Sequence, residues 1–139
     1  MLSRITRNEL VRMMNLVFFS PLMYALAAWI LSRYPLRTSV DLDQMIVLSL
    51  GASVGLILLS RPLRWLLLPP GAEVTRAKIV RACILLSTIG EAIALAGAVS
   101  VWCGARLVAF IPFLIISGLY YFDFRAFRFP RILALWPEE

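Results

Sequence analysis

The sequence predicts an all-α integral membrane protein: a bundle of four transmembrane helices with both termini cytoplasmic. Three observations carry that prediction. The chain is 61% hydrophobic with only 16% charged residues, whereas an ordinary soluble domain carries about 25%. Its charges are bunched, leaving uncharged runs close to the roughly 20 apolar residues that one membrane crossing takes. Its basic residues also sort to one side when the runs are folded back and forth. At 139 residues there is room for four crossings in a single transmembrane domain, 1–139, and for no soluble domain.

The first apolar run covers 13–31, the second 44–60, the third 82–103 and the fourth 107–122. Pro21 lies inside the first and should kink it, a neighbouring helix or water satisfying the freed carbonyl. Arg4, Arg7 and Arg12 ahead of this run, with Ala25, Leu26 and Ala27 inside it, also resemble a signal peptide. The reading taken is an uncleaved first helix. Asp41 or Ser39 is the expected N-cap of the second helix, and Thr75 or Gly71 begins the approach to the third. Pro112 falls in the first turns of the fourth, where proline is tolerated.

Orientation follows from the basic residues. The N-terminus holds Arg4, Arg7 and Arg12, the second loop Arg61, Arg64, Arg76, Lys78 and Arg81, and the tail Arg125, Arg128 and Arg131. The opposite side holds only Arg33, Arg37 and Arg106. Eleven against three puts both termini and the 61–81 loop in the cytoplasm, in a bacterial inner membrane or an equivalent energy-coupling membrane. Two segments should lie on the membrane surface, 61–69 with Arg61, Arg64 and Trp65, and 120–136, where aromatics interleave with Arg125, Arg128 and Arg131. They read as simple anchors, with recognition of anionic lipid or a protein partner as the alternative.

Several chemistries lack their ligands. Cys83 and Cys103 are 20 residues apart, about 30 Å along one helix, too far for a disulfide, which needs Cα atoms within about 7 Å. With no His and no CxxC there is no ligand set for zinc, haem or an iron–sulfur cluster, so neither metal nor cofactor is expected. Ser20, Ser49, Ser53 and Ser87 have no His or Lys base within the apolar runs, which gives no footing for an enzyme. The net charge of +6 sits at the ends of apolar runs, as topology and headgroup anchors do, so nucleic acid is not an expected partner.

Glu91 stands out against this background. It lies in the middle of the third run, and a carboxylate at membrane depth costs about 2.5–3.5 kcal/mol on insertion scales, which marks it as a functional candidate. Ile84, Ser87, Thr88, Ala94, Leu95 and Ala98 share its helix face, with Gly90 and Gly97 beside it, while Leu86, Ile89 and Ile93 on the other side should meet lipid. Glu91 lies ten residues past Arg81 and Ser53 eight before Arg61. Both are then about 12–15 Å in from the same edge, near the middle of a core of about 30 Å, which sets Ser53 or Ser49 opposite Glu91. Gly51 and Gly55 form a GxxxG, the small-residue pattern of close helix packing. No Arg, Lys or His lies within the runs to pair with Glu91, so burial favours its protonated form. Three roles are open: a proton-handling group, a hydrogen bond across a helix contact, or a side chain facing a water-filled cavity.

Residues 47–104 resemble the proteolipid (c) subunit of rotary ATP synthases. The resemblance rests on 50–55 (LGASVG), on Arg61 with Pro62, and on 87–97 (STIGEAIALAG). It implies that Glu91 is the proton-binding carboxylate, with Ser53 and Thr88 near it. The chain differs from that family in a longer loop, a single GxxxG and two flanking helices. Two functional expectations result. One is an accessory or assembly subunit of a larger membrane complex, with Glu91 at a helix–helix contact. The alternative is a proton-binding subunit resembling the proteolipid. Partners are the lipid bilayer and other membrane subunits or copies of this chain.

Overall fold

Capping side chains set the helix starts in the computed structural model, which describes residues 4–36, 38–39, 41–71 and 73–137. Arg37, one of the basic residues counted above, lies outside them. The first helix, α1 (Arg7–Val17), opens with a reciprocal cap: the Glu9 N–H donates to the Thr6 hydroxyl, and the Glu9 carboxylate accepts from the Thr6 N–H. The helix then breaks at Phe18 and Phe19, and α2 (Ser20–Leu31) resumes with Pro21 in its first turn. Pro21 has no N–H to continue the ladder, and the chain answers with an interruption where the sequence suggested a kink.

Asp41 caps α3 (Leu42–Leu67), accepting from the N–H groups of Asp43 and Gln44. This helix carries Pro62 in its interior and continues to Leu67, so 61–67 is helical and continuous with the second apolar run. Proline is tolerated in such helices where neighbours or local adjustment re-satisfy the backbone. Thr75 caps α4 (Arg76–Trp102) by accepting from the Lys78 N–H, starting that helix six residues ahead of the apolar run.

A 3-10 turn, Leu107–Ala109, leads into α5 (Phe110–Asp123). A π-helical turn, Phe124–Arg128, then passes into α6 (Phe129–Leu133). Pro130 explains the wide turn: its ring would meet the carbonyl four residues back in a regular α-helix. Through this turn 120–133 prolongs the fourth helix. Tyr120, Tyr121, Phe124, Phe129 and Ile132 turn inward and are buried, while Phe122, Arg125, Phe127 and Arg131 of the same segment are exposed. Four helical stretches are long and apolar enough to cross a membrane: Arg7–Leu31, Leu42–Leu67, Arg76–Trp102 and Leu107–Leu133.

The centre of the bundle is α4, packed against α2, α3 and α5. Its apolar window is 56% buried, against 6% for α3. Leu86, Ile89 and Ile93, expected to face lipid, are buried in the core. They meet protein because α4 is enclosed on several sides, and its one exposed stripe is Leu85, Thr88, Ala92, Leu95 and Val99. Leu10, Met14, Ile79, Val80, Phe124 and Ile132 cluster at one end of the bundle. The Leu36 N–H bonds the Trp102 carbonyl at the other, as does Thr38 to the Cys103 carbonyl. Among the described residues, α1, α6 and the connection between α3 and α4 therefore share one end, which is also the arginine-rich one.

The glycines divide into two kinds. A Cβ on Gly97 would stand 2.6 Å from the Phe113 Cβ, and one on Gly90 2.6 Å from the Tyr121 ring. These glycines let α4 and α5 approach. A Cβ on Gly51 or Gly55 would meet nothing within 4 Å, so no helix of this chain packs on the GxxxG. Gly97→Ala should therefore lower stability by about 1–3 kcal/mol, since the Phe113 Cβ cannot swing away. Gly51→Ala should be neutral or gain up to about 1 kcal/mol of helix propensity. Unfolding in mixed micelles measures both, and equal curves for Gly97→Ala and the parent would refute the close approach.

Candidate functional site

Three hydroxyls on α5 reach across to α4 carbonyls. Ser117 Oγ donates to the Gly90 carbonyl at 3.0 Å, Tyr120 to that of Leu86 at 2.6 Å and Tyr121 to that of Ser87 at 3.0 Å. Glu91 sits at the edge of this ladder, half-buried. Its Oε1 lies 3.0 Å from the Tyr121 hydroxyl. From α2, Ser20 Oγ donates to the same hydroxyl at 3.3 Å, and the Tyr24 phenol interacts with the Glu91 carboxylate. Ser20 and Tyr24 are one helical turn apart, so both face α4 and α5. The carboxylate is thus hydrogen-bonded to one tyrosine of α5, with a second tyrosine from α2 nearby.

The Ser53 contact expected from the sequence is absent among the described hydrogen bonds. Ser53 is buried, but its Oγ donates to the Ser49 carbonyl on its own helix at 2.7 Å. Ser87 contributes through its backbone: its hydroxyl is turned to the Ile84 carbonyl, and its own carbonyl receives Tyr121. Thr88 is exposed and bonds the Leu85 carbonyl. Gly90 belongs to the site because its missing Cβ admits the Tyr121 ring. Gly97 supports the same interface one and a half to two turns on, while Gly51 and Gly55 lie apart from it.

Counting along the hairpin would have found Tyr121. Glu91 is eleven residues before the end of α4, and Tyr121 eleven after the start of α5, so the two lie at matching depth in antiparallel neighbours. The pairing was missed because the two tyrosines read as interfacial aromatics and Glu91 was matched only to the helix before it.

The Tyr121 hydroxyl has one proton and two acceptors at equal distance, the Ser87 carbonyl and Glu91 Oε1. When Glu91 is ionised, Tyr121 donates to the carboxylate. When Glu91 is protonated, the carboxyl donates to the tyrosine oxygen and Tyr121 donates to the Ser87 carbonyl. Either state leaves every donor paired. One arrangement of hydroxyls thus offers hydrogen-bond partners to the carboxyl in either form. Among the described residues no group of His, Cys, Asp and Glu is placed to hold a metal ion.

A second polar cluster closes the arginine-rich end. Arg128 Nε pairs with Asp123 Oδ2 at 2.6 Å, its Nη1 donates to Ser60 Oγ at 2.6 Å, and its guanidinium stands 5.6 Å from the centre of the Tyr120 ring. This ties α3 to the fourth helix. Arg61, Arg64, Trp65 and Arg131 surround it. Arg125 is turned elsewhere, 5.2 Å from the centre of the Phe18 ring.

Removing the phenol tests the central contact. Tyr121→Phe keeps the ring against Gly90 but strips the bond to Glu91, and should destabilise the fold by about 1–3 kcal/mol in micelle unfolding. Glu91→Gln, which retains both a donor and an acceptor, should cost less than Tyr121→Phe. The reverse order would mean that the carboxylate is held by something other than Tyr121.

No family model, no curated protein and no solved structure matches this chain.

Proposed function

We propose that this chain is a multi-pass integral membrane protein, its termini and its 68–75 loop in the cytoplasm, that works as an accessory or assembly subunit of a larger membrane complex. The observation that carries the reading is the uncovered glycine face of α3. Gly51 and Gly55 have no neighbour within 4 Å of where a Cβ would be. Lipid contact gains nothing from glycine, whereas a second helix can come close only where such residues face it. The helix with the least buried apolar window, α3, is therefore the docking element. The bias of basic residues to the end holding both termini supports the orientation. Glu91 serves in this reading as a hydrogen-bonded strut between α4, α5 and α2.

The test is the native mass of the chain extracted from its own membrane. Gly51→Leu and Gly55→Leu should release the chain from its assembly, while Glu91→Gln stays in it. A fully assembled Gly51→Leu, Gly55→Leu double variant would sink the docking role of α3.

A second reading is favoured by the Tyr121 hydroxyl, whose proton satisfies either state of Glu91. In that reading Glu91 binds and releases a proton, as the carboxylate of the proteolipid subunits does. A hydrophobic carbodiimide, which attacks protonated carboxyls, should then label Glu91 at mildly acidic pH, and Glu91→Gln should abolish the label with assembly intact. An unlabelled Glu91 in the assembled complex would overturn the proton-carrying role.

A further inference from the structure

The arginine-rich end of the bundle contains a cavity of about 270 Å³ whose wall includes Arg61, Arg64, Trp65, Asp123, Arg128 and Arg131. Two helices supply the cations in the same spacing. Arg61 and Arg64 are three apart on α3, and Arg128 and Arg131 three apart on the last helix, so each pair presents one face. Four guanidiniums meet a single carboxylate, Asp123, which Arg128 already binds at 2.6 Å. Among the described residues, the other three arginines of the wall have no acidic partner there.

The cavity has a fixed floor. In a regular α-helix, residues five apart point about 140° away from each other, and Arg128 would not reach Asp123. The π-helical turn Phe124–Arg128, closed by the Phe129 N–H on the Phe124 carbonyl, brings them together. Ser60 and the Tyr120 ring then pin the guanidinium from two more sides. Its remaining N–H groups are held in place before any ligand arrives, and such turns recur at functional sites. Guanidinium forks match the oxygens of a phosphate in geometry as well as charge.

The occupant is amphipathic. Trp65 and Arg61 share an exposed face of α3 with Leu58, so one side of the cavity continues into exposed apolar helix, short of the Gly51–Gly55 stripe. A soluble phosphate compound has no use for that continuation, whereas an acyl chain does. Basic pockets between helix ends on the cytoplasmic side are where anionic headgroups bind. We propose that this cavity is the headgroup site of one anionic phospholipid, its phosphate among the arginines and an acyl chain starting along Trp65 and Leu58, on the arginine-rich side of the Gly51–Gly55 stripe.

The proposal rests on the membrane-spanning reading, which carbonate extraction of membranes tests by itself: a chain released into the soluble fraction overturns that reading. For the site, the full chain in mild detergent is titrated with phosphatidylglycerol or phosphatidylcholine and followed by native mass spectrometry. One phosphatidylglycerol per chain is expected to be retained in preference to phosphatidylcholine. Arg61→Gln with Arg131→Gln, both exposed positions, should weaken that retention about 30-fold while thermal unfolding is unchanged. Arg106→Gln, at the other end, should leave it intact. A carbonate-resistant chain that holds the two lipids equally, or a double variant that binds like the parent, refutes the site. Displacement of the lipid by inorganic phosphate alone at equal concentration would make it a soluble-anion site and refute the lipid assignment.

Discussion

The rest of the structure depends on how close α5 can come to α4. A helix inside lipid has no hydrophobic drive to join its neighbour, so contact must come from packing and polar bonds. Here Ser117, Tyr120 and Tyr121 bond the carbonyls of Gly90, Leu86 and Ser87. They reach because Gly90 and Gly97 leave room for Tyr121 and Phe113. Once that distance is set, Phe124 and Phe129 fall against Phe18 at the break between α1 and α2, and Tyr120 lies beneath Arg128. Every buried side-chain polar atom among the described residues finds a partner. That is the condition for polar groups to lie in such a core at all.

The position of Glu91 is a consequence of the same approach. A lone carboxylate on the third apolar helix is costly when it meets acyl chains, and the Tyr121 hydroxyl takes the place of water as its partner. No cation is needed, and none is supplied. An arginine at the Tyr121 position would hold the carboxylate ionised, whereas a phenol serves both protonation states. The structure thereby accommodates the two proposed roles of Glu91 with one set of contacts.

Much of this was legible from the residues alone. The four runs, the caps at Asp41 and Thr75 and the choice of Glu91 as a candidate follow from apolar length, from side chains that accept N–H bonds, and from the cost of a buried charge. What was not legible came from tertiary context. The apolar runs end at 60 and 122, yet the helices continue through Pro62 and Pro130, the latter by a widened turn. Leu86, Ile89 and Ile93 read as a lipid face because periodicity cannot say how many neighbours a helix has. The GxxxG at Gly51 reads as a contact in any sequence, while the partner that would use it is not part of this chain's own bundle. Ser53 and Glu91 matched in depth, but Tyr121 matched as well and brought a longer arm.

On the membrane-spanning reading proposed above, the central place of α4 has a consequence for the order in which the helices insert. As synthesis proceeds, α4 follows α2 and α3 and precedes α5, so when it first meets the translocation machinery only the α2 side of its polar stripe has company. The Tyr24 phenol is then the carboxylate's one described partner from another helix, and the acceptors meant for Ser117, Tyr120 and Tyr121 wait. The third crossing is thus an incomplete guest in lipid until the fourth joins it. The physics favours delivery of the last two crossings as a pair, with the short turn between them keeping the wait brief.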